Sequence, residues 1–322
     1  MYQLVIALVA AAVALTPASR ADAQSSGLRI VATTPILADV AKVIAGDRAN
    51  VETLFPADAD PHAFEPGPRD AARLARADLV VVNGLGLEIF LEKFLEAGKV
   101  DPGRLVVASE GRVPRTASDD PEGHGEACEH DHEHGHEHPH EHGPVDPHVW
   151  LDPEWVAHWA RRLAESFAAR DPAAAAGYTS RCEQFVEALA ELDKEIRSLF
   201  EPIPAEKRVL VTDHNTFGYF AERYGVRVIG HILPNISTIS EISARDLAAL
   251  QNAMREAGAR VIVAEETENP ALAQRVAEDV GAHLVLVRTH TLGPPGSGTD
   301  SYIGLMRTLA ERLAKAWQAD RP

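Results

Sequence analysis

Short apolar strands alternate with helical segments along most of this 322-residue chain. In the first half, the pattern predicts strands at residues 29–32, 50–54, 79–82 and 104–108, separated by helices at residues 35–45, 68–75 and 88–97. Repeated alternation of strand and helix predicts a parallel sheet covered by helices on both faces.

The same alternation returns in the second half, with strands at 209–212, 226–230, 261–264 and 283–287 and helices at 216–224, 244–257, 270–280 and 300–317. Between the halves, a helical pattern at 153–169 precedes a longer helix that Asp171 and Pro172 begin and that continues to Phe200. We therefore predict an α/β fold of two lobes, each a parallel sheet flanked by helices, joined by one long rigid helix. The expected boundaries are 28–170 for the N-terminal lobe, 171–201 for the linker helix and 205–322 for the C-terminal lobe.

The N-terminus has the features of an export signal. An apolar run at residues 4–15 is shorter than the roughly 20 residues that span a bilayer, and the small-x-small pattern Ala21-Asp22-Ala23 follows it. These features predict a signal peptide, residues 1–23, cleaved after Ala23, and a mature protein in the periplasm. The alternative is a buried N-terminal element. Because no cysteine follows the apolar run, we expect no lipid anchor.

The charge of the chain is concentrated in one segment. The formal net charge is −17, with 31 Lys and Arg against 48 Asp and Glu, which argues against nucleic acid or anionic membrane as the partner and leaves cations. Residues 119–146 contain eight of the 15 histidines, ten carboxylates and no Lys or Arg, so this window contributes −10 of the total.

This low-complexity segment, 118–147, is predicted to be a disordered loop, because it has no apolar periodicity and several glycines and prolines. Its histidines are mostly neutral at pH 7, so we expect weak, exchanging zinc sites at His124, His130, His132, His134, His136, His138, His140 and His142. The alternative is a solvating linker. Two matches to His-Glu-x-x-His do not predict catalysis, because Gly135 and Pro139 interrupt the helix that such chemistry requires.

Four metal-capable side chains lie just beyond predicted strand ends, where open α/β sheets bind ligands. They are His62, His148, His214 and Asp300. Three imidazoles and one carboxylate make a complete tetrahedral set for a borderline-soft divalent ion. His62 and His148 both follow the dipeptide Asp-Pro, whereas Asp300, taken alone, could equally be the N-cap of the last helix.

Several longer motifs extend this pattern: Thr-Thr-Pro-Ile-Leu-Ala-Asp at 33–39, Asp-Pro-His-Ala-Phe-Glu-Pro at 60–66, Ala-Asp-Leu-Val-Val-Val-Asn-Gly at 77–84, Asp-Pro-His-Val-Trp-Leu-Asp-Pro at 146–153, Asp-His-Asn-Thr-Phe-Gly-Tyr-Phe at 213–220 and Thr-Asp-Ser-Tyr-Ile at 299–303. Through them the chain resembles the zinc- or manganese-binding substrate-binding proteins of ABC importers. These form the ZnuA/AztC-like (cluster A-I) family of the metal-binding lipoprotein and adhesin superfamily. The resemblance covers the whole mature chain.

The resemblance implies two lobes joined by a rigid helix and metal ligands at His62, His148, His214 and Asp300. Manganese members tend to have Glu at the third ligand position, so His214 favours Zn(II) over Mn(II), in agreement with the softness of imidazole. The function implied is capture of Zn(II) in the periplasm and its delivery to an ABC permease, without enzymatic activity. We expect a monomer, with a periplasmic zinc metallochaperone as a further partner of the acidic loop.

The sequence leaves three other functions open. They are a zinc buffer without a transporter, a manganese-binding homologue, and a zinc hydrolase with Glu65 or Glu266 as general base.

The two cysteines also leave alternatives open, because an exported protein permits a bond between Cys128 and Cys182. Otherwise Cys128 is a loop thiol that can bind zinc. The disulfide found within the C-terminal lobe of some relatives is absent from this chain.

Overall fold

The protein is built around two parallel four-stranded sheets, which confirms the predicted fold class. The computed structural model describes residues 27–57, 60–62, 64–96, 100–116, 145–233 and 243–319. The first sheet has the order β2-β1-β3-β4, with β1 Leu28–Ala32, β2 Ala49–Thr53, β3 Leu79–Val82 and β4 Leu105–Val107. The second has the same topology, β6-β5-β7-β8, with β5 Val209–Thr212, β6 Arg227–His231, β7 Val261–Glu265 and β8 His283–Val287.

Three helices connect the strands of the N-terminal lobe: α1 Pro35–Ala45, α2 Pro68–Arg76 and α3 Phe90–Glu96. Helix α1 begins where predicted, because the Thr34 side chain accepts a hydrogen bond from the Leu37 N–H and Pro35 suits the first turn. Its apolar face is buried against the sheet. It ends at Gly46, whose φ of 55° favours glycine.

The helices that follow the strand pattern in the C-terminal lobe are α6 Gly218–Tyr224, α7 Ala244–Ala257, α8 Ala271–Val280 and α9 Tyr302–Ala319. Helix α7 has the predicted bounds, since the Ser243 side chain accepts from the Asp246 N–H at its start and Gly258 adopts a left-handed φ of 65° at its end. Helix α6 starts two residues later than predicted. Thr216 is instead part of the preceding loop, where its hydroxyl donates to the His214 carbonyl at 3.2 Å.

One long helix joins the lobes, and another long helix precedes it in the first lobe. Helix α4, Pro153–Arg170, is followed by a 3-10 turn, Pro172–Ala174, and by the 26-residue helix α5, Ala175–Phe200. Pro172 therefore opens the 3-10 turn and not the first turn of α5. The Asp171 carboxylate instead accepts hydrogen bonds from Arg48 at 2.9 Å and from Tyr178 at 3.1 Å.

Helix α5, about 39 Å long at 1.5 Å per residue, packs against both lobes. Its buried side chains recur every three or four residues, and it contacts α1 of the first lobe, α9 of the second and the neighbouring α4. One continuous apolar cluster extends from Ile30 in β1 to Trp317 in α9 through this helix. Because this core is shared, we infer that the lobes are held in a fixed relative orientation.

Further features of the fold concern export and the cysteines. In the described part of the chain, no helix is long and apolar enough to cross a membrane. The predicted signal peptide lies outside the described residues. Cys128 does too, so the structure does not choose between a bond from Cys128 to the buried Cys182 and a zinc-binding loop thiol. Thr116 and Val145 pair in an antiparallel bridge, which leads the chain to Asp146 and His148. Residues 145–147, which were predicted to belong to the acidic-histidine loop, are therefore part of the described structure.

Candidate metal centre

Four buried imidazoles meet where the loops at the carboxyl ends of both sheets come together. His62 follows β2 and His148 follows β4, while His214 follows β5 and His290 follows β8. Each offers one ring nitrogen, and these nitrogens all lie within 4.8 Å of one another. Each lobe thus contributes two of the four side chains, and the group lies between the lobes.

Two of the six distances between these ring nitrogens are close to those of a tetrahedral site. The Nε2 atoms of His62 and His148 are 3.0 Å apart, and those of His214 and His290 are 3.1 Å apart. Zinc–nitrogen bonds of 2.0–2.1 Å place tetrahedral ligand atoms about 3.3 Å from each other. Small outward movements of the rings would therefore accommodate one Zn(II) ion between them.

The two Asp-Pro-His tripeptides fold in the same way. The Asp60 carboxylate accepts from the His62 backbone N–H at 2.8 Å, and the Asp146 carboxylate accepts from the His148 backbone N–H at 2.9 Å. In each tripeptide an aspartate thus bonds the backbone two residues on, which is an Asx turn. The repeated sequence therefore specifies the local conformation that presents each imidazole.

Carboxylates also orient two of the rings. Asp146 Oδ1 lies 2.8 Å from His148 Nδ1, and Asp213 Oδ1 lies 2.9 Å from His214 Nδ1. A carboxylate at Nδ1 holds the ring proton on that nitrogen and leaves the Nε2 lone pair available to a metal. Although burial lowers the pKa of His214, the hydrogen bond and the charge of Asp213 outweigh it and raise that pKa above its usual value.

The fourth ring, His290, has a different environment. Its Nδ1 lies 3.9 Å from Glu265 Oε2, and the same oxygen accepts hydrogen bonds from the backbone and hydroxyl of Thr289 at 2.8 and 2.7 Å. Burial, followed by the neighbouring imidazoles, lowers the pKa of His290 well below its usual value. His290 is therefore neutral at pH 7, as a metal ligand must be.

Further carboxylates lie around the four rings. Burial raises the pKa of Glu265 to about 7, and burial together with Asp213 raises that of Glu268 to about 6, although His214 opposes the latter shift. Asp213 connects these groups, because its Oδ2 accepts from the Glu265 backbone N–H at 2.6 Å. The histidines thus form an inner shell of nitrogens, with negative charge placed behind it to balance a divalent cation.

The structure does not place Asp300 in this group. Its side chain is exposed two residues before α9, and its Oδ2 accepts from the Gly296 backbone N–H at 2.7 Å. The carboxylate therefore stabilises the turn that leads into the helix. The structure brings together His62, His148 and His214 as predicted from the sequence, but their fourth partner is His290 and not Asp300.

A signal for His290 was present in the sequence. It lies three residues beyond the end of β8, so the criterion that identified the other histidines, a metal-capable side chain just past a strand, also includes it. Asp300, which also follows the last strand, was predicted as the fourth ligand instead, and the resemblance implied the same residue. The distance of Asp300 from the other three residues emerged only from the tertiary structure.

The other predicted site residues have separate outcomes. The eight loop histidines lie outside the described residues, so their weak zinc sites stay a prediction. Glu65 is exposed, and Glu266 lies on the surface beside Arg312 at 3.3 Å and Arg288 at 3.9 Å. If all four imidazoles bound one tetrahedral ion, no position would remain for the water of a hydrolase.

Comparisons with known proteins identify the family of the chain. The profile of the family described as "Zinc-uptake complex component A periplasmic" (ZnuA) matches residues 30–316. The chain is 30% identical over 318 residues to the manganese ABC transporter substrate-binding lipoprotein PsaA of Streptococcus anginosus, covering 97% of this chain and 94% of the relative. It is 29% identical over 306 residues to the manganese-binding lipoprotein MntA of Halalkalibacterium halodurans, covering 94% and 93%.

Among solved structures, the periplasmic zinc-binding protein TroA of Treponema pallidum is similar with a TM-score of 0.75 and 26% identity, over 90% of this chain and 99% of that one. A manganese-bound periplasmic metal-binding protein of Candidatus Liberibacter asiaticus has a TM-score of 0.74 at 22% identity, over 90% and 99% of the two chains, and supports the fold alone. The resemblance inferred from the motifs is confirmed.

One expectation is corrected by these relatives. The absence of a cysteine after the apolar run led us to expect a periplasmic protein without a lipid anchor. PsaA and MntA, which align with nearly the whole chain, are both named lipoproteins, and this contradicts that expectation.

Proposed function

The chain belongs to the ZnuA family, whose members are metal-binding substrate-binding components of ABC importers and not enzymes, and we propose that its cargo is Zn(II). The proposed ligands are His62, His148, His214 and His290. The observation that carries this proposal is the all-nitrogen inner shell, in which four ring nitrogens lie within 4.8 Å of one another.

The chemistry of the donors favours zinc. Imidazole suits zinc, copper and nickel, whereas manganese prefers carboxylate, carbonyl and water oxygens. The carboxylates of Asp146 and Asp213 contact Nδ1 atoms on the outer side of the rings and do not join the inner shell. A tetrahedral set of four imidazoles therefore supports Zn(II) as the cargo.

Manganese is the second candidate, and one observation favours it. Several relatives that align with nearly the whole chain, among them PsaA and MntA, are named for manganese. Their names concern those proteins, but their similarity to this chain makes manganese the alternative that an experiment must exclude.

The closed inner shell suits transport. Four protein ligands give tight binding without an open position for a reactant. The chain works with a membrane permease and its ATPase, as members of the family do. Because His62 and His148 belong to one lobe and His214 and His290 to the other, we propose that separating the loops of the two lobes on the permease releases the ion. A zinc metallochaperone that loads the protein remains part of the proposal, as does a monomeric state.

The zinc and manganese affinities of the wild type alone do not identify the cargo, because almost any site of nitrogen and oxygen ligands binds zinc more tightly than manganese. A reference protein is therefore needed. The reference is His290→Asp, which introduces one oxygen donor. We expect competition titration to show a zinc-to-manganese affinity ratio about tenfold or more higher in the wild type than in this variant.

A cellular measurement completes the test. In a strain that lacks the gene, metal analysis of cells grown at limiting metal should show lower zinc and unchanged manganese, and the wild-type gene should restore zinc. Loss of manganese with unchanged zinc would refute the zinc assignment and establish the alternative.

A further inference from the structure

The side chain of Trp150 crosses from one lobe to the other beside the metal centre. Trp150 lies in the 3-10 turn Val149–Leu151, two residues after His148. Its indole N–H donates to the backbone carbonyl of Thr289 at 2.6 Å, and Thr289 directly precedes His290. One hydrogen bond thus connects the segments that carry a histidine of the first lobe and a histidine of the second.

The ring of Trp150 also touches both histidines. Its centroid lies 5.3 Å from that of His148 and 6.3 Å from that of His290, in edge-on arrangements. Trp150 is 2% exposed. Unless the loops move, water therefore does not take the place of the indole N–H when its hydrogen bond to Thr289 breaks. A buried carbonyl that loses its donor in such an environment bears the full cost of desolvation.

The backbone of Trp150 is held from the second lobe as well. The Tyr302 hydroxyl, at the start of α9, donates to the Trp150 carbonyl at 2.8 Å. The Tyr302 backbone N–H donates in turn to the Asp39 carboxylate of α1 at 2.9 Å. Trp150 is therefore held at its ring by Thr289 and at its backbone by Tyr302, both of which belong to the second lobe.

We propose that Trp150 is a positioning residue that fixes His148 relative to His290 and thereby limits the rate at which the metal leaves. The inference rests on the proposed zinc site. For the loops of the two lobes to move apart at the ion, the bond between Trp150 and Thr289 must break, so the bond adds to the barrier of dissociation. A partner that displaces the Trp150 indole would accelerate release.

The test compares two tryptophans in the full-length protein. Trp150→Phe removes the indole N–H beside the metal centre. Trp159→Phe is the matched control, because Trp159 is fully buried in α4 and its indole N–H donates to Ser109 Oγ at 3.0 Å within one lobe. Each variant loses one buried aromatic hydrogen bond, and only the first loses a connection between the lobes.

Dissociation of Zn(II) is measured by stopped flow with an excess of a chromophoric chelator, and stability of the metal-free protein by thermal unfolding. We expect Trp150→Phe to release zinc about tenfold faster than wild type and Trp159→Phe to stay within about twofold, with similar losses of stability in both. In Co(II)-loaded protein, the visible bands should change in Trp150→Phe alone, because only there are two ligands reoriented.

Equal dissociation rates in the two variants, or an unchanged rate in Trp150→Phe, would overturn the proposal. If Trp150→Phe does not fold, Tyr302→Phe takes its place, since it removes only the bond to the Trp150 carbonyl. About threefold faster release is then expected, and an unchanged rate overturns the proposal. If the cargo proved to be Mn(II), the zinc assignment would fail, and the release rates of Mn(II) from the same variants would still test Trp150.

Discussion

Replacing His290 with alanine tests the largest difference between the ligand set predicted from the sequence and the group of histidines that the structure brings together. The ring lies in the buried group with its Nε2 3.1 Å from that of His214, whereas Asp300 is exposed and bonded to Gly296. We therefore expect His290→Ala to weaken zinc binding strongly and Asp300→Asn to leave it nearly unchanged.

The size of the effect follows from the number of ligands. A structural four-ligand zinc site contributes about 10–16 kcal/mol, which is about 3 kcal/mol for each ligand. At 1.4 kcal/mol for each tenfold change, the loss of one ligand weakens binding by about 100-fold. The Glu265 carboxylate keeps its bonds to the backbone and hydroxyl of Thr289 when the imidazole is removed, so the loop should retain its conformation.

The assay is competition titration against a chelator of known zinc affinity, with protein from which residues 119–142 are deleted so that the acidic loop does not contribute. Asp300→Asn in the same background is the control, and we expect a change below about threefold, within the range of exposed substitutions. Thermal unfolding without metal shows whether both variants are folded.

The outcome that would refute this reasoning is a reversal of the two effects. If Asp300→Asn lost about 100-fold in affinity while His290→Ala bound zinc like the wild type, then the side chains of the bound state would differ from those that the structure brings together.

Three other predictions concern the surroundings of the site. Asp213→Asn should weaken zinc binding by about 10–100-fold in the same titration, because it removes the group that orients His214, and a loss below twofold would contradict that role. Zinc affinity should fall as the pH is lowered through the raised pKa of His214, because protons compete for the ring, and in Asp213→Asn the fall should begin at lower pH. In the metal-free protein, the raised pKa of His214 contributes stability that is complete below about 6.5 and lost as the pH rises through the folded-state value, which unfolding measured against pH detects. Deleting residues 119–142 should leave one tight zinc site and remove the weak ones, and an unchanged stoichiometry would exclude a capture role for the loop.

Local interactions explain why most elements were predictable. Helix α7 has the predicted bounds because Ser243 and Gly258 cap its two ends through contacts within a few residues. The predicted start of α5 at Asp171 differs from the observed start at Ala175, because Asp171 makes a contact that is distant in the sequence. Asp171 had the features of an N-cap, but its carboxylate is bonded to Arg48, which is 123 positions away in the chain. A contact over that separation leaves no local pattern.

The same distinction between local and distant contacts applies to the candidate site. His62 and His148 were identifiable because Asp-Pro-His is a local unit, in which the aspartate bonds the backbone of the histidine. His214 was identifiable because it follows a strand directly. His290 lacks a local partner of this kind, and its nearest carboxylate, Glu265, belongs to the neighbouring strand β7.

The order of residues was enough to predict the two α/β lobes, the long helix between them and three of the four imidazoles, because strand and helix periodicity, caps and turns act within a few residues of the chain. The fourth imidazole and the connection through Trp150 depend on which loops of the two lobes face each other. That arrangement is set by the apolar core that α5 shares with both lobes, and it brings residues 62, 148, 214 and 290 together. Ligands drawn from four separate loops can be recognised as one metal site only when that packing is known.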